Sequence, residues 1–315
     1  MLVTGGAGFI GAVLVRHLLD AGARVTVADL FPTERQRARL AELSGARVVR
    51  TDLTTADLRP LLADVQRVVH LAGCPGVQSS WGHGFTAHLR DNVALTQRLL
   101  EAALDVPVDR IVVASSSSVY GHVELGAAHE DRPVAPTSPY GVTKAAVELL
   151  LRAYAARGVP AIGLRYFTVY GRGQRPDMAV HRIVEAALGG PPFPLRGDGS
   201  QERDLTHVDD VAAATVRALD RPLPAGTIVN VAGGQPVSLR AVIDEVAAQV
   251  GTEVPIESAP PVAGDPGRTA AALDRAASLL EWGPMVSLPA GIADQIEWQC
   301  RERGGVVVGA GWASG

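Results

Sequence analysis

Residues 4–11 read Thr4-Gly5-Gly6-Ala7-Gly8-Phe9-Ile10-Gly11, directly after the apolar run Leu2–Thr4 and at the head of an amphipathic stretch, Ile10–Ala21. Glycines at 5, 8 and 11 let a chain leaving a strand turn tightly and bring its N–H groups near a pyrophosphate, while the following helix points its positive end at the charge. A three-glycine turn alone is weak. A strand before it and a helix after it make it a dinucleotide-binding loop. Asp29 closes the next β-rich run, 18 residues after Gly11. A carboxylate there accepts the ribose hydroxyls of NAD and repels a 2′-phosphate. Leu30 and Phe31 bring no cation beside it. Arg35, Arg37 and Arg39 follow at alternate positions, which do not share one helix face, and read as solvated.

Working outward, short β-branched runs alternate with helical stretches. Leu2–Thr4, Arg24–Asp29, Ala46–Arg50, Arg67–Ala72, Arg110–Ser115 and Val159–Tyr166 read as strands, near-continuously apolar as befits strands covered on both faces. Ile10–Ala21, Glu34–Leu43, Phe85–Ala103 and Ser138–Ala156 read as helices, with Gly22 and Gly158 just past two of their ends. This alternation predicts an α/β fold: a Rossmann-type, doubly wound parallel sheet. After Gly171 the texture changes, with Pro and Gly clustered at 189–194 and 260–267. The reading is a dinucleotide-binding domain over 1–170, returning near 205–232, and a smaller mixed α/β substrate lobe over most of 171–315. The Gly-rich tail 304–315 reads as poorly ordered.

The chain has 315 residues, 47% of them apolar, and a formal charge of −4. That apolar share excludes global disorder, and the absence of a basic excess argues against nucleic acid as partner. No apolar run approaches the roughly 18 residues of a membrane span. A folded-domain motif at Val3 leaves no room for a signal peptide, which points to the cytoplasm. Because the first strand starts one residue after Met1, the native start is expected slightly upstream. Cys74 and Cys300 form no disulfide framework, and no two histidines have metal-ligand spacing, so no metal is expected.

Of 29 Lys and Arg residues, only Lys144 is lysine. It stands four residues after Tyr140, on the same face of a predicted helix. A tyrosine with an ordinary pKa of about 10 is a poor base. A fixed ammonium and the positive nicotinamide ring would stabilise its phenolate and lower that pKa. Arginine's wide planar fork does not replace a compact ammonium, which accounts for the surviving lysine. Ser115–Ser118 end the fifth strand, and carboxyl ends of parallel strands are where open α/β sheets bind ligands.

These residues carry a resemblance to the extended short-chain dehydrogenase/reductase family, and within it to the NAD-dependent nucleotide-sugar epimerases. The matching segments are TGGAGFIG (4–11), Asp29, Asp52-Leu53, HLAG (70–73), SSSSVYG (115–121), SPYGVTK (138–144), LRYFTVYG (164–171), GQRPDMA (173–179) and RDLTHVDDV (203–211). The resemblance implies Ser116 as catalytic hydroxyl, Tyr140 as acid/base and Lys144 as its partner. It implies that Gly5, Gly8, Phe9, Ile10, Gly11 and Asp29 bind NAD, that Asp52 and Leu53 hold the adenine, that Leu71, Ala72, Gly73 and Asn92 contact the cofactor, and that Tyr166 lies near the nicotinamide. His207 would support a helix start beside Asp209 and Asp210. By the same analogy, the two long helices pair into a homodimer interface.

Several reactions run on such a scaffold through a 4-keto sugar. Similar 4,6-dehydratases place Asp-Glu after the catalytic hydroxyl, and uronate decarboxylases place Glu before Val-Tyr-Gly. Here those positions are Ser117 and Ser118, which leaves C4 epimerisation. The 165–179 stretch is most similar to UDP-glucuronate 4-epimerases, which implies Ser117, Ser118 and Thr168 around a sugar carboxylate. It further implies Arg175 and Arg203 at the nucleotide-sugar and its diphosphate, with Asp265 and Arg268 at the nucleotide. Gln78 stands where many relatives carry Arg, and Arg172 where proline is common. A UDP-glucose/UDP-galactose or dTDP-deoxysugar substrate is therefore the alternative. A 4-ketoreductase would consume cofactor, and a non-enzymatic NAD sensor need not keep Tyr140 and Lys144.

Overall fold

The computed structural model describes residues 1–30, 33–123, 126–260 and 266–304. Asp265, Phe31 and tail residues 305–315 lie outside the described residues. The chain runs β1 (Leu2–Thr4), α1 (Phe9–Asp20), β2 (Thr26–Asp29), α2 (Glu34–Ala41), β3 (Arg47–Arg50), α3 (Arg59–Leu62), β4 (Arg67–His70), α4 (Gly84–His88) and α5 (Leu95–Asp105). Then come β5 (Arg110–Ser116), α6 (Pro139–Ala155), β6 (Ala161–Tyr166), β7 (Thr168–Tyr170), α7 (Ala179–Ala187), β8 (Phe193–Arg196) and β9 (Glu202–His207). The remainder is α8 (Val208–Asp220), β10 (Ile228–Val231), β11 (Pro236–Ser238), α9 (Leu239–Val250), β12 (Ile256–Ala259) and α10 (Leu288–Glu302).

Seven strands form one sheet in the order β10-β6-β5-β4-β1-β2-β3, every pair parallel. The order reverses between β1 and β4, and the crevice beyond their carboxyl ends is the ligand position of such sheets. Because successive side chains on a strand point to opposite faces, Val112 packs against α1 and α8 while Ile111 and Val113 pack against α5 and α6. The predicted strands and long helices are present, with ends shifted by up to two residues for most. Gly22 and Gly158 take positive φ just past α1 and α6, as predicted. The single helix expected over Phe85–Ala103 is interrupted by a π-helical turn, Leu89–Ala94. There Asn92 turns its amide into the protein, and Thr96 Oγ1 donates back to the Asn92 carbonyl at 2.6 Å. No sequence period announces such a turn.

Beyond β6 the chain leaves the sheet and builds a three-stranded sheet (β11-β9-β7) and a two-stranded one (β12-β8). Their apolar faces close with α7, α9 and α10 around Val180, Ile183, Val246 and Ile292. The chain returns once to the main sheet, through α8 and β10.

Candidate active site

A cleft of about 930 Å³ runs along the carboxyl ends of the main sheet. One end is the glycine loop. Gly5 has φ +71°, and a Cβ there would lie 2.6 Å from the Ala72 nitrogen; a Cβ on Gly11 would lie 2.3 Å from the Gly5 carbonyl. Only glycine permits this packing of loop on strand. Gly8 caps α1 without a side chain, so the first-turn N–H groups stay available to an anion. Asp29 accepts the Ala7 N–H at 3.0 Å and the Leu30 N–H at 2.7 Å, fixing its carboxylate at the rim. Asp52 is held by Thr54, whose N–H lies 2.9 Å and hydroxyl 2.6 Å from Oδ1; Leu53 lies buried beside it. Gly5, Gly8, Phe9, Ile10, Gly11, Asp29, Asp52, Leu53, Leu71, Ala72 and Gly73 all line this cleft. An uncapped helix start, a glycine cradle that any Cβ would fill and a rim carboxylate together fit a dinucleotide.

The middle of the cleft is carried by β5 and α6. Ser138 caps α6, accepting the Gly141 N–H at 3.1 Å, so Tyr140 and Lys144 project from its first turns toward the strand ends. Ser116 ends β5 and accepts the Ser118 N–H at 3.2 Å. Lys144 Nζ donates to the Ala114 carbonyl at 2.8 Å and lies 5.9 Å from the Tyr140 ring centre. His88, fully buried on α4, packs edge-on against the Tyr140 ring at 5.8 Å between centres. Burial raises the Tyr140 pKa, opposed by the hydrogen bond with Ser116 and by Arg175. The expectation that Lys144 lowers it is not met by the protein's own groups. Burial lowers Lys144 itself to about 8, so this ammonium titrates within the working range of an enzyme.

Ser117, Ser118, Tyr166, Thr168 and Arg175 line the same cleft. Arg175 is steered there by Asp177, which accepts its Nε at 2.9 Å and its Nη2 at 3.0 Å. Arg203 and Arg268 are elsewhere. They sit together beside β9: Arg203 Nη1 donates to the Glu202 carbonyl at 2.9 Å, and Arg268 Nε to the Glu202 carboxylate at 2.8 Å. Neither lines the cleft. Asn92 also differs from expectation. Its amide accepts the Cys74 N–H at 2.8 Å and donates to the Cys74 carbonyl at 3.0 Å and to Thr143 Oγ1 at 3.1 Å. It holds the loop after β4 in place and does not face the cleft.

A family model, the NAD dependent epimerase/dehydratase family, matches residues 1–232. The chain belongs to this family. It is 38% identical to an uncharacterised UDP-glucose epimerase, YtcB, of Bacillus subtilis, covering 95% of this chain and 97% of that one. The crystal structure of a UDP-glucuronic acid 4-epimerase from Bacillus cereus, in complex with UDP-glucuronic acid and NAD, superposes with a TM-score of 0.92 at 38% identity. It covers 96% of this chain and 99% of that one. MoeE5, solved with NAD and either UDP-glucuronic acid or UDP-glucose, matches at 41% identity and a TM-score of 0.89 over 96% of this chain and 99% of its own. The expected cofactor, NAD, and the expected NAD-dependent nucleotide-sugar epimerase chemistry stand on this membership.

The family's motifs did not disclose everything at the cleft. Arg35 and Arg39 are four residues apart, not two, and share the face of α2 that meets the C-terminal lobe. Arg39 donates to the Gly173 carbonyl, and Arg35 lies 5.3 Å over the Trp298 ring. Arg37, between them, is exposed. Arg172, noted only for replacing a proline, donates from Nη1 to Asp209 Oδ2 at 2.5 Å and lies 3.5 Å from Asp294. It ties α8 to α10. His207 caps α8 as predicted, accepting the Asp209 N–H at 3.4 Å, and also contacts Asp294 at 3.2 Å. Val77 lines the cleft and its neighbour Gln78 does not. Among the described residues no helix is long and apolar enough to cross a membrane, and no group of three His, Cys, Asp or Glu could hold a metal.

Proposed function

We propose that the protein interconverts C4 epimers of a nucleotide-diphosphate sugar, with UDP-glucuronate and UDP-galacturonate as the pair. The observation that carries this is the set of short neutral donors, Ser117, Ser118 and Thr168, around Ser116 and Tyr140 in one cleft. NAD, when bound, takes the C4 hydride and returns it. Tyr140 removes the 4-hydroxyl proton and later restores it. Ser116 hydrogen-bonds the same oxygen, and Lys144 supplies positive charge while its Nζ is fixed on Ala114. Turning the 4-keto sugar between the two hydride transfers inverts C4 without net redox. A 4-keto-uronate is a β-keto acid prone to losing CO₂. Hydroxyls hold its carboxylate without donating a full proton, and no carboxylic acid stands at 117 or 118 to assist decarboxylation or dehydration.

Arg175, which lines the cleft, is proposed to contact the nucleotide-sugar. Arg203 and Arg268 are the residues proposed to meet the diphosphate and the nucleotide. A UDP-glucose substrate is the second reading, favoured by the UDP-glucose epimerase among the relatives and by the UDP-glucose complex of MoeE5. We also infer a homodimer. Phe85 and Leu89 on the α4 side, with Val142 and Leu149 on α6, are exposed apolar side chains on the two helices predicted to pair; Leu149 is 61% exposed. Incubation with UDP-glucuronate, UDP-glucose and dTDP-glucose, followed by resolution of the sugars, tests the function. The expected result is UDP-galacturonate from the first. If no C4 epimer of any of the three forms, the reading is wrong.

A further inference from the structure

Tyr140, Lys144 and Glu148 lie four residues apart on one face of α6, and each meets the last residues of β5. Tyr140 faces Ser116, Lys144 reaches the Ala114 carbonyl, and the Glu148 carboxylate accepts the Ser115 hydroxyl at 2.5 Å. Glu148 also accepts Arg165 of β6 twice, Nε to Oε1 at 2.8 Å and Nη2 to Oε2 at 2.7 Å. Arg165 is 1% exposed; it donates further to the Glu130 carbonyl at 3.2 Å and lies 4.6 Å over the Tyr120 ring. In register, Ser115 is opposite Arg165, and Ser116 is opposite Tyr166. The carboxylate thus pins the helix to two strands one residue below the reacting groups. A buried ion pair gains little over apolar packing of the same shape, so stability does not explain it.

We propose that Glu148, clamped between Ser115 and Arg165, is a positioning residue for the catalytic pair: it sets α6 against β5 and supplies the counter-charge one turn below the Lys144 ammonium. This rests on the catalytic roles proposed for Tyr140 and Lys144. The titratable and charged groups facing Lys144 are Tyr140 and Glu148 on its own helix, Cys74 and His70 from β4 and the loop after it, and His88 on α4. Arg165 reaches the cluster from β6 through Glu148. Burial depresses Lys144, and Cys74 and Glu148 work against that. Of these two, only Glu148 belongs to a built network.

The chain's single lysine makes the test direct. Full-length protein labelled with 13Cε-lysine gives one lysine resonance, and its pH titration reports Lys144 without substrate. The wild-type midpoint is expected near 8. Glu148→Gln keeps the shape, removes the charge, and should lower the midpoint by about one unit, a tenfold change in the protonation equilibrium. It should also lower kcat with KM little changed. The double variant Glu148→Met, Arg165→Met removes the pair without stranding a charge, and its midpoint should move in the same direction. If Glu148→Gln does not fold, the double variant decides. Variants that melt cooperatively, bind NAD and titrate as the wild type would overturn the proposal. The titration needs no turnover, so an inactive wild type would refute the epimerase reading and leave this result standing.

Discussion

The two sides of the cleft are made differently. The cofactor side is backbone: a glycine loop, an uncapped helix start and strand ends, with Asp29 held by two N–H groups. On the side formed by the C-terminal lobe Arg175, tied to Asp177, lines the cleft, and the lobe behind it is held by further ion pairs, Arg268 to Glu202 and Arg172 to Asp209. Backbone sites tolerate few residues at a few local positions. Ion pairs between side chains depend on partners that can lie far apart in the sequence, as Arg172 and Asp209 do.

The largest expected effect lies where the two sides meet. Tyr140→Phe should lower turnover by about 10³-fold while bound NAD is retained, measured by product formation and by absorbance of the released cofactor. Normal turnover would reassign the base. Lys144→Arg should cost about 10²-fold, because a guanidinium does not fit the ammonium's position on Ala114. In the wild type the Lys144 charge is present below about pH 8 and lost above it, so the rate should decline on the alkaline side with a midpoint near 8. A flat profile from pH 7 to 10 would contradict this.

The cofactor side is expected to be intolerant. Gly11→Ala places a methyl against the Gly5 carbonyl and should destabilise the fold by about 1–3 kcal/mol and weaken NAD binding, read by thermal melts with and without NAD. The lobe side should give way more gently. Arg172→Ala should cost about 1–3 kcal/mol at neutral pH by leaving Asp209 and Asp294 short of a partner, with NAD affinity unchanged. Burial would raise Asp209, but His17 and Arg172 hold its carboxyl well below the usual range. Its stabilising contribution is therefore present above the ordinary carboxylate pKa near 4 and fades as pH falls through the folded value. The wild-type advantage over Arg172→Ala should shrink in acid; an advantage growing in acid would contradict the assignment.

The same contrast explains what the sequence disclosed. The glycine loop, Asp29 and the Tyr140–Lys144 spacing are local patterns whose geometry follows from a few neighbouring residues. The central strands β1, β4, β5 and β6, largely buried, announced themselves by apolar runs. The π-helical turn at Asn92 was not legible, because it depends on Cys74 and Thr143 from other segments. Arg203 and Arg268 carried the family's pattern, yet their partners come from Glu202 and from chain around residues 126 and 267. The Arg35 and Arg39 pair was misjudged by counting alternate residues; every second alternate residue on a helix does share a face.

The claim beneath all of this is that hydride leaves C4 and returns to the same carbon. UDP-glucuronate tritiated at C4 should therefore keep its label at C4 in both epimers at equilibrium, with no tritium in water and none in free NADH. Label appearing in free NADH or in solvent, with or without an epimer, would contradict it.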